Sequence, residues 1–245
     1  MELKQTTSKT NGRLWGSAAS DWAAIQEPTC LPVYQTTFDR LALKPGTNYL
    51  DAGCGAGLAA QLASERGAVV SGLDAAENLL TIARQRVPAG EFRVGELEQL
   101  PFPDSSFDLV TGFNSFQYAA NPTAALAEAK RVAKPGSHVV VMTWGRPEGM
   151  EAASLVSALR PLMPPPPPGA PGPFALSDEA ALRAFAVDLE TAVRGLRSSG
   201  VAARTIENSS VEAVDEANAT ALKPFQQPDG SYRIGVIFRC LITRA

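Results

Sequence analysis

Three glycines at alternate positions, Gly53, Gly55 and Gly57, constrain this chain more than any other stretch. They follow Tyr49-Leu50-Asp51-Ala52 and precede the helix-forming run Leu58-Ala59-Ala60-Gln61-Leu62-Ala63. Glycine has no Cβ, so the turn can be tight and a ligand can lie against its backbone. The helix that follows points its free N–H groups at the same place. A β-rich lead-in, a glycine turn and a helix, in that order, make a cradle for a nucleoside-sized ligand.

The rest of the chain reads as an alternation built outward from this unit. Tyr49 to Cys54, Val69 to Asp74, Glu91 to Glu96, Phe107 to Asn114 and a run centred on Val139 to Met142 read as strands. Leu58 to Arg66 and Ala76 to Val87 read as helices, and a third helix opens with Asn121 as N-cap and Pro122 in the first helical position. Apolar runs bounded by turns and separated by helices imply a parallel sheet covered on both faces. Residues 1–12 read as a polar tail, and residues 13–43 as one or two amphipathic helices broken near Pro28 and Pro32. Beyond the alternation, Met163 to Pro173 is Pro-rich and reads as a surface connection or lid segment. Helices are expected over Ser177–Ala186, Asp188–Ser199 and Val211–Leu222, and a last strand over Ile234–Ile242. At 245 residues this suits a single α/β domain. Its expected parts are a helical lid (13–43), a ligand-binding core (48–146), a Pro-rich and helical substrate region (147–232) and the final strand (233–245).

Charge and composition exclude several classes. The net charge of -3, with no Lys/Arg-rich run, argues against non-specific nucleic-acid or membrane-surface binding. No apolar stretch reaches membrane-spanning length, and the N-terminus lacks the apolar segment of a signal peptide. The three scattered cysteines fit neither a disulfide framework nor a metal site, and a reducing cytoplasm is expected. No metal is expected, and nothing speaks to oligomeric state.

A dinucleotide and S-adenosylmethionine both suit a glycine turn after a first strand. The dinucleotide fingerprint spaces its glycines G-x-G-x-x-G, whereas these are spaced G-x-G-x-G. Asp51 would repel a pyrophosphate but attract a ligand carrying an ammonium and a sulfonium. The stretch Tyr49–Gly57 resembles the first motif of class I S-adenosylmethionine-dependent methyltransferases, and Gly72-Leu73-Asp74 resembles the acidic end of their second strand. Gly95 to Asp108 and Ala127 to Gly136 are similar to the corresponding segments of the ubiquinone/menaquinone-biosynthesis branch. The likeness covers roughly residues 48–146. It implies a Rossmann-like three-layer α/β sandwich, mostly parallel, with an antiparallel last strand.

The resemblance also implies roles. Gly53, Gly55 and Gly57 would admit the methionine part of the cofactor, and Asp51 would favour its ammonium directly or through water. Asp74 would accept from both ribose hydroxyls, with helix N-capping as an alternative or concurrent role. Ala75 would pack on the adenine, and Glu96 with the Leu97 N–H would meet its edge. Asn114 would face the methionine moiety. Candidates for the substrate wall are Trp22, Tyr34, Gln117 and Trp144, with core packing as the alternative for the aromatic residues. Methyl transfer mainly asks the protein to align the reactants and exclude water. The one histidine, His138, sits at the amino end of its strand and is a poor candidate base. In relatives a sixth strand follows the region of Ser177–Ala186, and here it is expected to be missing or replaced. The reading is therefore methyl transfer to a small molecule. The rivals are a cofactor-binding protein without that chemistry and an NAD-dependent oxidoreductase.

Overall fold

The computed structural model describes residues 7–163, 173, 181–186 and 199–245. Seven strands form one sheet: β1 (Asn48–Ala52), β2 (Val69–Asp74), β3 (Glu91–Val94), β4 (Phe107–Phe113), β5 (Ala133–Trp144), β6 (Ala181–Ala186) and β7 (Tyr232–Arg244). Their order across the sheet is β3-β2-β1-β4-β5-β7-β6. The first five are mutually parallel, and β7 runs antiparallel to β5 with Val140 opposite Ile242. The helices are α1 (Ser8–Trp15), α2 (Leu31–Arg40), α3 (Leu58–Glu65), α4 (Glu77–Arg86), α5 (Pro122–Val132), α6 (Ala153–Leu159), α7 (Gly200–Asn208) and α8 (Val211–Leu222).

Strand periodicity builds two cores. Adjacent side chains on a strand point to opposite faces, so a strand covered on both sides is apolar at every position. Tyr49 and Leu50 obey this: Tyr49 packs with Phe38, Leu80 and Met142, while Leu50 packs with Leu73, Val110 and Phe116 on the other face. Val139 and Val141 join the second core, and Val140 and Met142 join the first. The helix start expected at Asn121 is present, since its side chain accepts from the Ala124 N–H at 3.0 Å.

Two expectations are corrected here. Residues 181–186 are not the end of a helix and the sixth strand is not missing. They pair antiparallel with β7, with Ala184 opposite Ile234. The outer edge of β7 offers a row of unpaired N–H and C=O groups, and pairing them outweighs the local helix preference of an alanine-rich segment. The final strand therefore has a neighbour on each side. At the other end, residues 8–12 belong to α1 instead of a polar tail. Between α1 and α2 the chain runs through short helical turns from Gly16 to Cys30. The expected helix over Asp188–Ser199 lies outside the described residues up to Ser199, which N-caps α7. Residues 164–172 of the Pro-rich segment also lie outside them.

Candidate functional site

All three glycines of the turn have positive φ: +84° at Gly53, +54° at Gly55 and +82° at Gly57. Their surroundings differ. A Cβ on Gly53 would lie 2.2 Å from Ser115 Cβ, and one on Gly57 would lie 2.8 Å from Ala83 Cβ. Those two glycines let the turn pack against β4's exit and against α4. A Cβ on Gly55 would meet nothing closer than 3.5 Å, and the nearest atoms are Glu27 Oε1 and Trp22 Nε1. Gly55 thus faces open space beside two polar atoms. Gly55→Ala is expected to fold, with a loss of about 1–2 kcal/mol for a left-handed alanine. Its new methyl group enters the ligand space, so cofactor affinity is expected to fall at least about tenfold in a calorimetric titration. An unchanged affinity would place the ligand elsewhere.

Asp74 anchors the turn. Its Oδ2 accepts from the Gly55 N–H at 2.9 Å and its Oδ1 accepts from the Ala76 N–H at 2.8 Å. The N-capping alternative is thus realised at the start of α4. Each carboxylate oxygen keeps a second lone pair for a ligand hydroxyl.

A deep cavity opens over this turn at the carboxyl ends of β1, β2 and β4. Of the expected site residues, Gly53, Gly55, Asp74, Ala75, Glu96, Leu97 and Asn114 line it, together with Trp22, Tyr34 and Trp144. Asp51, Gly57 and Gln117 do not line it. Asp51 is buried behind the wall, where Thr111 Oγ1 donates to its Oδ1 at 3.0 Å. Gln117 is fully buried and its amide donates to Asn114 Oδ1 at 3.3 Å, so it supports Asn114. Asn114 holds φ at +54°, a conformation asparagine tolerates better than most residues. Phe38 is wholly buried against Tyr49 and Phe113, a core residue and not part of a lid.

The N-terminal segment covers the cavity, and its contacts through Ser8, Asn11 and Gly12 involve residues that the sequence did not single out. The Ser8 N–H, at the start of α1, donates to both Glu96 carboxylate oxygens at 3.2 Å. Asn11 Nδ2 donates to the Tyr118 carbonyl at 3.1 Å. A Cβ on Gly12 would sit 2.3 Å from the Ala75 carbonyl oxygen, so only glycine lets α1 lie this close. Trp15 meets Trp22 and Tyr118 edge-to-face, at 4.9 and 5.3 Å between centroids. The segment is pinned by a buried ion pair between Glu27 and Arg86, with Arg86 also donating to the carbonyls of Ala56 and Ala23. Glu27 Oε1 in turn accepts from the Leu58 N–H at 3.3 Å, at the start of the helix behind the glycine turn.

The electrostatics of the turn are lopsided. Glu27, Asp51 and Asp74 are carboxyls gathered behind and beside three glycines, and burial pushes all three above the usual carboxylate range. Asp51 is raised to about 7, first by burial and further by the charges of Glu27 and Asp74. Arg86 is the cation paired with this group, and it serves Glu27. Such a site disfavours an anionic pyrophosphate and favours a cation. Trp22 Nε1 is buried beside Gly55 without an acceptor. An unsatisfied buried donor is costly unless a ligand supplies the acceptor. The residues present therefore fit a ligand with a cationic centre and a carboxylate close together. Cys30 also lines the cavity, but burial pushes its thiol up to about 11, which makes it a poor nucleophile. Among the described residues no group of side chains is arranged to hold a metal ion.

Fold and site together define an α/β domain with a cavity at the carboxyl edge of its sheet. Residues 50–141 match the family described as methyltransferase domain. The match runs from β1 to β5, so this segment is similar to a methyltransferase domain. The chain is 40% identical over 99 residues to a malonyl-[acyl-carrier protein] O-methyltransferase of Serratia marcescens, covering 40% of this chain and 39% of that protein. It is 32% identical over 137 residues to a ubiquinone biosynthesis O-methyltransferase of Hahella chejuensis, covering 54% and 57%. The matches thus span less than two thirds of these curated relatives. A solved structure from Bacillus halodurans C-125, described as a candidate methyltransferase, shares the fold. Its TM-score is 0.57 at 18% identity, over 86% of this chain and 97% of that one.

Proposed function

We propose that the protein transfers the methyl group of S-adenosylmethionine to a small, mostly apolar molecule. The observation that carries this is the gathering of three carboxyls, two buried and one on the cavity wall, around a glycine turn whose middle residue faces open space. In this reading Asp74 accepts from the ribose hydroxyls, Ala75 packs on the adenine, and Glu96 with the Leu97 N–H meets its edge. Gly53 and Gly55 admit the methionine part, Asn114 faces it, and the Trp22 indole N–H donates to its carboxylate. Trp22 thereby moves from the substrate wall to the cofactor. Asp51 acts through its charge from behind the turn, and Gln117 acts by holding Asn114. Tyr34 and Trp144 remain walls for the acceptor.

The bound cofactor supplies an electrophilic methyl carbon on a good leaving group. The protein's part is alignment and the exclusion of water, which the α1 cover and the Trp15–Trp22–Tyr118 cluster provide. His138 is not placed to serve as a base, since it pairs with Leu109 and Arg244 midway along β5 and does not line the cavity.

Calorimetric titration tests the reading. One site is expected for S-adenosylmethionine and none for NADH, and an absence of binding by the former refutes the proposal. A pH dependence is expected as well. Asp51 is largely protonated below about 7 in the free protein. A cationic ligand favours its ionised form, so binding below that pH must expel a proton. Affinity should rise with pH up to about 7, by at most about tenfold per unit for one proton, and then level off. Titrations at pH 6 in buffers of different ionisation enthalpy should show proton release approaching one per site, and Asp51→Asn should abolish it. Release that persists in Asp51→Asn would assign the proton to another group. Transfer of labelled methyl to a panel of uncharged phenols and acids separates the enzyme from a binding protein, which would hold the cofactor and label nothing.

A further inference from the structure

The cavity continues past the glycine turn into a second half, between α6, α7, α8 and β7. Its wall there includes Trp144, Leu155, Leu159, Val201, Leu222 and Phe238. One residue breaks this lining. α8 buries a stripe at four-residue spacing, Val214, Asn218 and Leu222, and the middle member is polar. A buried helix stripe is ordinarily apolar throughout, because each position faces the core once per turn. Asn218 is 1% exposed and lines the cavity, yet its Nδ2 has no acceptor. Two polar groups of α7 and its cap are already engaged within the protein. Thr205 Oγ1 donates to the Val201 carbonyl at 2.9 Å, and Ser199 Oγ accepts from the Ala202 N–H at 3.2 Å. Leucine would fill the same place on α8 without the cost of an unpaired amide.

Resting on the methyl-transfer reading, we propose that Asn218 is the specificity-determining residue of the acceptor site. Its amide N–H donates to an oxygen of an uncharged substrate whose remaining body is apolar. The substrate class is then an apolar ketone, ester, ether or phenol. A carboxylate or phosphate does not fit, because among the described residues this half of the wall offers no cation to pair with it. Asn218 touches substrate in this arrangement but moves no proton. Its contribution is orientation, turning the acceptor within a wall that is otherwise non-directional.

The test compares two probes of similar shape, acetophenone and ethylbenzene, by equilibrium dialysis against the full-length protein. The native protein should bind acetophenone about tenfold more tightly, since the oxygen satisfies an otherwise unpaired amide. Asn218→Leu keeps the volume and removes the donor. The ratio should fall to about one or reverse, and the melting temperature should hold or rise. Asn218→Ala removes the donor without adding bulk and should collapse the ratio likewise. S-adenosylmethionine affinity should stay within about twofold in both variants. A preference that survives both substitutions overturns the proposal, as does equal binding or no binding of the two probes by the native protein. A loss of stability in both variants with the preference intact would make Asn218 a structural residue. If the native protein discriminates the probes but does not bind S-adenosylmethionine, the methyl-transfer reading fails and the assignment of Asn218 as an oxygen-recognising group stands.

Discussion

Replacing Arg86 by methionine is expected to destabilise the protein by about 3–5 kcal/mol, the usual result of removing one partner of a buried ion pair. The Glu27 side chain is 4% exposed and Arg86 is its paired cation. Without the guanidinium, the Glu27 carboxylate is left in a site whose burial already pushes its pKa up. The carbonyls of Ala56 and Ala23 lose their donor as well. For a chain of this length the melting temperature should fall by roughly 10 °C. The deficit should shrink on acidification, because a neutral Glu27 no longer needs a counter-charge. The double variant Glu27→Gln, Arg86→Met should recover much of the loss, since the penalty lies in the orphaned charge. Thermal denaturation at pH 5 and pH 8 reads all three effects. A shift below about 2 °C in the single variant would show that the pair contributes little to holding the N-terminal segment in place. Ala56 lies inside the glycine turn and Glu27 holds the N–H of Leu58 just after it. The same variant should therefore also weaken cofactor binding.

Asp74→Ala is expected to lower S-adenosylmethionine affinity at least about a hundredfold. Hydrogen bonds to a charged group contribute about 1.5–3 kcal/mol each, and a ribose offers two hydroxyls. The variant also frees the N–H groups of Gly55 and Ala76, which Asp74 now holds at 2.9 and 2.8 Å. Asp74→Asn is the milder change: its one acceptor oxygen can hold only one of the two backbone N–H groups, the other facing an amide donor, and a smaller loss of affinity, about tenfold, is expected. Calorimetry with S-adenosylmethionine and with methionine alone reads the difference. Methionine lacks the ribose, so its binding should respond to either substitution through the turn alone and should fall less than that of S-adenosylmethionine. Equal losses for both ligands in Asp74→Asn would show that Asp74 acts on the turn and not on the ribose.

Much of the site was legible before any coordinates. Gly53, Gly55 and Gly57 announced themselves by spacing, and their positive φ values bear out the need for glycine. Asp74 was legible because it ends a strand of apolar pattern, and Glu96, two residues beyond β3, through the family resemblance; the carboxyl ends of parallel strands share one edge. Other groups left no local trace. Glu27 and Arg86 are 59 residues apart and lie on segments with no motif. Gly12 reads as an unremarkable glycine in a polar stretch, although it is what brings α1 onto Ala75. Asn218 sits in a run that reads as a polar helix, and only its burial distinguishes it from Asn208 nearby.

Residues 181–186 show the physical divide most plainly. Alternation of apolar runs, glycine spacing and helix caps are encoded within a few residues, so the succession of β1 to β5 along the chain and the position of the glycine turn could be read directly. The segment Ala181-Leu182-Arg183-Ala184-Phe185-Ala186 favours a helix by composition. Its state depends on the free edge of β7, some 50 residues further along the chain, whose backbone groups it pairs. The cover over the cavity and the acceptor half have the same origin. Both are assembled from segments distant in sequence, the cover held by buried polar contacts and the other half by apolar packing, and such contacts exist only once the sheet has brought their partners together.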